Sequence, residues 1–221
     1  MRCQLNYCIG KICLHKKFTF SSQLKLSFTG GFIMNRKIYV LLTDTGTIFT
    51  KIIKLYTKKP HNHASIVIDE HFNKVYSFGR INPRNPFMAG FVQENIRGGL
   101  FRNADCAIYC VTITEKQFQK IITKIREMEE CKDEYRYNFI GLIAVMLNLE
   151  MTRKNAYFCS HFVATLLEES GIPIKRQKPL SLVTPHDIKE STSLELIYEG
   201  KLSSYVQNYY HEYCTDRVKV I

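Results

Sequence analysis

The chain lacks tryptophan, internal repeats and any long apolar run. Its longest hydrophobic stretch, residues 139–149, falls short of the roughly 18 residues that a membrane-spanning helix needs, and it suits a buried helix. The 221 residues are 45% hydrophobic and 23% charged, which is an ordinary globular composition. Wholesale disorder, collagen and coiled coil are therefore excluded, and the length is sufficient for one domain with a real core.

The first 33 residues contain no acidic residue, yet five basic residues give them nearly half of the net charge of +11. They also lack the continuous apolar segment and the cleavage site of a signal peptide. Gly30-Gly31 can be encoded by purine-rich DNA similar to a bacterial ribosome-binding site, and Met34 follows closely. We therefore expect residues 1–33 to be translated upstream DNA without persistent contact to the core. Residues 34–221 would then form the single domain; the alternative is a real basic arm.

The cysteines give no sign of a disulfide framework. Residues 34–221 hold Cys106, Cys110, Cys131, Cys159 and Cys214, an odd number at irregular spacing. No secretory signal accompanies them. We expect free thiols in a reducing compartment and hence a cytoplasmic protein without a transmembrane segment.

Hydrophobic periodicity predicts an α+β fold in which a small antiparallel sheet packs against helices. Thr114 and Gln117 have the spacing of a capping box, which marks the start of a helix. Residues 80–105 are rich in Asn, Pro, Gly and Arg and are predicted to be a long loop. The expected strands are 38–43, 63–69, 74–79, 106–112 and 194–198, and the expected helices begin near 45, 114, 138, 158 and 185.

Cys159 has the position of a nucleophile. It lies in the first turn of the helix predicted over residues 158–170, within the segment Tyr-Phe-Cys-Ser-His-Phe-Val. Free backbone N–H groups and the helix dipole favour an anionic sulfur there, and the same N–H groups can hold an oxyanion. A nucleophilic thiol needs a base, and His63 at the start of an alternating strand is the candidate.

The order of these two motifs resembles the circularly permuted papain-like cysteine hydrolases of the NlpC-type superfamily. A His strand of sequence His63-Ala-Ser-Ile and a hairpin come first, and the helix opened by Cys159 comes much later. The superfamily includes bacterial proteins of unassigned substrate and relatives of lecithin:retinol acyltransferase. The resemblance covers about residues 36–200. It implies a permuted papain-like core without a cofactor, and a cysteine hydrolase or acyltransferase that forms a thioester from a peptide-like or lipid-like acyl substrate.

The resemblance also implies a polar residue, on the strand after the His strand, that orients the imidazole. Here that strand offers Ser77 or Tyr76. A hairpin connection of odd length places Ser77 on the His63 face, and one of even length places Tyr76 there. We prefer Ser77, which gives Cys159, His63 and Ser77 as the expected catalytic residues. Because a hydroxyl stabilises an imidazolium less than a carboxylate does, an inactive member that serves as a binding scaffold is the alternative.

Two further classes of function compete with this prediction. His61, His63, Cys159 and His161 include donors that zinc prefers, but residues two apart on a helix point to different sides, so no metal site is expected. The arginines of residues 80–105, interleaved with phenylalanines, loosely fit single-strand nucleic-acid binding, but no recognition motif accompanies them. We interpret them instead as a hint of an anionic substrate: Arg80, Arg84, Arg97 and Arg102.

Overall fold

One mixed sheet with helices on it dominates the computed structural model, which describes residues 35–46, 54, 58–82, 85–191 and 193–207. The described strands are β1 (Asn35–Asp44), β2 (His63–Val67), β3 (Val75–Asn82), β4 (Asn85–Gln93), β5 (Asp105–Thr114), β6 (Arg136–Tyr137), β7 (Ala156–Tyr157) and β8 (Glu195–Lys201). The α-helices are α1 (Glu115–Glu130), α2 (Phe139–Met146), α3 (Cys159–Glu169) and α4 (Pro185–Lys189), and residues 202–207 are helical as well. The predicted α+β class is thereby confirmed.

The strands follow the order β7-β6-β4-β3-β2-β1-β5-β8 across the sheet. Neighbouring strands are antiparallel except for β6 and β7, which are parallel. The sheet is thus larger than the small one that the sequence predicts. Among the described residues, no helix is both long and apolar enough to cross a membrane.

The two faces of the sheet carry separate apolar clusters. On one face, the side chains of β1, β2 and β5 pack against α1 and α3, with Phe162 and Val163 of α3 fully enclosed. The other face is covered by connecting segments through Phe72, Ile96 and Phe101. Because α3 lies against β2 and β3, its first residue is held over the sheet near the beginning of β2.

Local signals in the sequence account for the helix that follows β5. Thr114 accepts a hydrogen bond from the Gln117 backbone N–H, and the Gln117 side chain accepts one from the Thr114 backbone, which completes the predicted capping box. Its apolar stripe, which includes Ile121, Ile125 and Met128, is buried against the sheet. The long helix α1 therefore begins where local chemistry predicts.

The main error in the predicted fold concerns residues 80–105, which are predicted to be a long loop. Strand β3 continues to Asn82, and residues 85–93 form β4, which pairs with β3 along most of its length.

The prediction of free thiols is also wrong at Cys131, which is disulfide-bonded, whereas Cys106, Cys110 and Cys159 are free. The expectations for residues 1–33 and for the helix over 45–56 fall outside the described residues, Thr45, Gly46 and Lys54 apart.

Candidate active site

His63 and Cys159 are brought together by the packing of β2 against α3. Ala64 and Ile66, which follow His63 in the strand, share the buried cluster of Phe162 and Val163 in the helix. As a result, the first residue of β2 and the first residue of α3 meet, and their side chains are hydrogen-bonded to each other. His63 and Cys159, which the sequence predicts to act as a pair, are therefore in contact.

Glu94 lies beside His63 and Cys159 as the third residue of the site, and the sequence did not predict it. The residue directly follows β4, and its backbone N–H donates to the carbonyl of Val75. The Oε1 atom of Glu94 lies 2.7 Å from Nε2 of His63. Because an imidazole has two ring nitrogens, this bond leaves Nδ1 for the sulfur of Cys159.

Two buried serines hold the Glu94 carboxylate in place. The Ser65 hydroxyl donates to Oε2 at 2.5 Å, and the Ser77 hydroxyl donates to Oε1 at 2.7 Å. Both serines are fully buried. Oε1 therefore accepts from Ser77 and from the imidazole, and Oε2 accepts from Ser65. Glu94 is thus fixed from three sides.

Ser77 and Tyr76 lie on opposite faces of β3. The register pairs Ile66 with Tyr76, which places Ser77 on the face of Ser65. Tyr76 stacks on Phe91 in the core, with ring centroids 5.8 Å apart. Ser77 therefore has the expected orientation, but its hydrogen bond goes to Glu94, and Glu94 is the residue that contacts the His63 imidazole.

The electrostatics of the site favour an ion pair between His63 and Glu94. Burial disfavours the charged imidazolium, but the Glu94 carboxylate and the hydrogen bonds to Cys159 and Glu94 outweigh it and hold the pKa of His63 well above its ordinary value. Burial likewise acts to raise the pKa of Glu94, but the His63 charge and the hydrogen bonds from His63, Ser65 and Ser77 lower it. Each partner thus keeps the other charged.

We expect this ion pair to stabilise the fold within a defined pH window. The stabilisation from Glu94 is complete above its ordinary pKa of 4.5 and is lost as pH falls through the lowered folded value. The stabilisation from His63 is complete below its ordinary pKa of 6.5 and is lost as pH rises through the raised folded value. Urea unfolding of wild type and Glu94→Gln should differ most between these limits, by about 3 kcal/mol. A difference that does not change with pH would contradict the ion pair.

Gly79 provides the space into which the Glu94 carboxylate fits. A Cβ atom at this position would lie 3.2 Å from Oε1 of Glu94 and 3.1 Å from the Ser77 hydroxyl. We expect Gly79→Ala to displace the carboxylate, to lower the free energy of unfolding by about 1–3 kcal/mol and to slow alkylation of Cys159. Gly98→Ala is the control, because a Cβ there meets nothing within 4 Å. Equal behaviour of the two variants would show that this space is not needed.

The first turn of α3 presents backbone donors beside Cys159. Phe158 precedes the helix and has no side chain that caps it, so the N–H groups of the first turn are free of a side-chain partner there. The Ser160 hydroxyl anchors this turn by donating to the carbonyl of Val183 at 2.7 Å. Strand β7 leads into the helix and is paired with β6. The N–H groups therefore lie on a rigid support, where they can hold a developing oxyanion.

Cys159 lies between two cavities. The larger, of about 370 Å³, also contains His63, Glu94, Arg80, Tyr137 and Phe139 in its walls; we call it the cleft. The smaller, of about 100 Å³, is lined on the other side by residues of α2 and by His61 and Asn62. Cys159 therefore forms part of the wall of both cavities.

The other histidines near the helix belong to different surroundings. His161 packs at a tilt against Tyr157 and Phe158, with ring centroids 4.9 and 5.4 Å away, and burial lowers its pKa to about 4. It lines neither cavity. His61 is buried in the smaller cavity, and burial lowers its pKa as well. In the described part of the chain, no group of three or more His, Cys, Asp and Glu side chains has the arrangement of a metal site.

The comparisons with known protein families and curated proteins identify no relative. The sequence matches no family model, and no match is found among curated proteins. The function proposed below therefore rests on the geometry of Cys159, His63 and Glu94 and on the order of their strands and helix along the chain.

Proposed function

We propose that the protein is a cysteine hydrolase or acyltransferase with a permuted papain-like core, in which Cys159, His63 and Glu94 form the catalytic group. The observation that carries this proposal is the continuous chain of hydrogen bonds from the Cys159 thiol through His63 to Glu94. Nucleophile, base and a group that orients the base are the three parts that nucleophilic catalysis requires. They meet in a cleft large enough for part of an acyl substrate.

In the proposed reaction, Cys159 attacks the carbonyl carbon of an amide or ester. The thiol proton is held by His63, and the sulfur–carbon bond forms as the carbonyl oxygen becomes an oxyanion facing the first turn of α3. His63 then returns the proton to the departing amine or alcohol, which leaves a thioester on Cys159. Water or an amine, deprotonated by His63, attacks the thioester, and the thiol is regenerated as the acyl product departs.

Glu94 removes the reason for preferring an inactive scaffold. That alternative arises because Ser77 alone stabilises an imidazolium weakly, whereas the Glu94 carboxylate keeps the pKa of His63 high. Ser77 retains a role as a positioning residue, since its hydroxyl holds the oxygen of Glu94 that contacts the imidazole. The order of the His63 strand before the Cys159 helix, with the two elements in contact, further supports the resemblance to the permuted enzymes.

The test is to trap the thioester. Purified protein is mixed with a peptide p-nitroanilide or with a short-chain phosphatidylcholine, and the intact mass is measured after rapid acid quench. We expect an acyl adduct on Cys159 with one of the two donors, and we expect neutral hydroxylamine to remove it. The absence of an adduct with both donors, together with no release of product, would contradict the proposal.

A further inference from the structure

Arg80 occupies the wall of the cleft on the same side as the nucleophile. Side chains alternate along a strand, so Arg80 shares a face of β3 with Phe78, whose ring packs 5.3 Å from that of Phe162 in α3. The opposite face of β3 carries Gly79 and Ser77, and the Ser77 hydroxyl donates to Glu94. Arg80 therefore extends toward the side of the sheet on which the Cys159 helix lies.

Tyr137 links Arg80 to the nucleophile. Burial and the charge of Cys159 raise the pKa of Tyr137 well above its ordinary value, whereas the charge of Arg80 acts in the opposite direction. The tyrosine therefore lies within the electrostatic reach of both groups, and all three line the cleft. Arg80, Tyr137 and Cys159 thus belong to the wall of one cleft.

Among the described residues, no acidic side chain is paired with Arg80. In the part of the chain that the structure describes, Glu94 is the one acidic residue of the cleft wall, and its carboxylate is already satisfied by His63, Ser65 and Ser77. No described residue forms a hydrogen bond or ion pair with the Arg80 guanidinium. A partly buried guanidinium binds carboxylate and phosphate oxygens with paired hydrogen bonds, so an unpaired one in a cleft favours an anionic ligand.

The other described arginines of residues 80–105, Arg97 and Arg102, do not share this position. Arg97 donates to the backbone carbonyls of His71 and Phe72 at 2.9 and 3.4 Å, which gives it a structural role. Arg102 lies exposed after the short 3-10 helix Gly99–Phe101 and lines neither cavity. Arg84 falls outside the described residues. Of the three described arginines, Arg80, Arg97 and Arg102, only Arg80 lines the cleft.

We propose that Arg80 determines specificity by binding an anionic group, a carboxylate or a phosphate, on the substrate of the Cys159 reaction. This inference rests on the proposed function, since it assigns Arg80 to the same cleft. An anionic group a few bonds from the scissile carbonyl would fix the orientation of the substrate, because the Arg80 guanidinium lines the cleft. The smaller cavity is lined instead by Lys59 and by Lys178, which is ion-paired with Asp187. The carboxylate of a peptide and the phosphate of a lipid headgroup both have the required chemistry.

The test compares matched alkylating probes. Bromoacetyl-β-alanine, its uncharged carboxamide and N-bromoacetylethanolamine phosphate differ only in the terminal group. In each, the Cys159 sulfur bonds to the methylene carbon as bromide leaves. The rate of adduct formation on Cys159 is measured by peptide mass spectrometry for wild type, Arg80→Gln and the control Arg126→Gln, whose arginine is exposed on α1.

We expect at least one anionic probe to react with wild type about tenfold faster than the carboxamide does. Arg80→Gln should remove this preference and leave the carboxamide rate within about twofold, whereas Arg126→Gln should retain it. The probe that is preferred distinguishes a peptide-like from a headgroup-like substrate. A preference that is absent from wild type, or that survives in Arg80→Gln, would overturn the proposal.

A second measurement separates this inference from the proposed function. N-acetyl-β-alanine and N-acetylethanolamine phosphate do not alkylate, and their binding to Cys159→Ala protein can be followed through amide NMR shifts of the cleft. We expect binding that weakens at least fivefold when Arg80 is also replaced by Gln. If no probe alkylates Cys159 but this binding is observed, the catalytic proposal fails and the anion site stands. If alkylation proceeds without charge preference and neither acetyl compound binds, the anion site fails and the catalytic proposal stands.

Discussion

Cys159→Ala protein is expected to lose turnover and to form no acyl adduct with either class of donor. The substitution removes the atom that forms the thioester, so the reaction has no covalent route left. The residual rate should fall to the background of the uncatalysed reaction, a loss of at least about 10³-fold, which is the scale on which removal of a nucleophile acts. Product release and intact mass after acid quench are the measurements.

The structure supplies a matched control for this variant. Cys110 is also a free, buried thiol, but it lies on β5 in the other apolar cluster, away from both cavities. Cys110→Ala should retain turnover and the adduct. Activity that persists in Cys159→Ala, or that disappears in Cys110→Ala while the latter remains folded, would place the nucleophile elsewhere.

Glu94→Gln is expected to produce the second-largest loss, about 10²–10⁴-fold in kcat/KM, which is the range of general acid–base catalysis. The amide keeps the shape of the side chain but removes the charge that holds the pKa of His63 high. A side-chain amide can also present its NH₂ to Nε2, which would reverse the tautomer of the imidazole. NMR titration of His63 should show its pKa moving down toward the ordinary value of 6.5.

Glu115→Gln serves as the control for this loss of a carboxylate. Glu115 forms an exposed ion pair with Arg36 at the start of α1, far along the chain from the cleft residues. Its replacement should leave both kcat/KM and the titration of His63 unchanged. If Glu94→Gln behaves in the same way as this control, Glu94 has no part in catalysis and its contact with His63 is structural.

The elements that hold Cys159 and His63 are predictable because their signals are local. The alternation after His63 predicts β2, and the apolar stripe after Cys159 predicts α3. Thr114 and Gln117 predict the start of α1 through a contact within four residues. In each case the residues that determine the structure are neighbours in the sequence, so one chain is enough to find them.

Glu94 could not be found in this way because its partners are distant in the chain. It contacts Ser65, His63 and Ser77 through the pairing of β2, β3 and β4, whereas the Asn, Pro and Gly residues around β4 indicate a loop. One signal was present. The segment Phe91-Val-Gln-Glu94 ends an apolar stretch with an acidic residue. An acidic residue at the end of a strand that pairs with the Ser77 strand is a reasonable partner for a histidine.

The size of the sheet was unpredictable for a related reason. Strands β6 and β7 contain two residues each, which is too short for any period-2 pattern. They exist because Arg136 and Tyr137 lie beside Ala156 and Tyr157 once α2 and α3 have packed. These short strands matter for the site, since they place Tyr137 in the cleft and lead directly into Cys159.

The pairing of Cys159 with His63 is tested most directly by the distribution of a limiting alkylating agent among the cysteines. Native protein is treated at neutral pH with less than one equivalent of iodoacetamide, and each cysteine is quantified by peptide mass spectrometry. We expect nearly all of the label on Cys159, which lines the cleft beside His63, and we expect His63→Ala to spread the remaining label over other cysteines. Label that avoids Cys159 in wild type, or that stays on it unchanged in His63→Ala, would contradict the claim that these two residues form a catalytic pair.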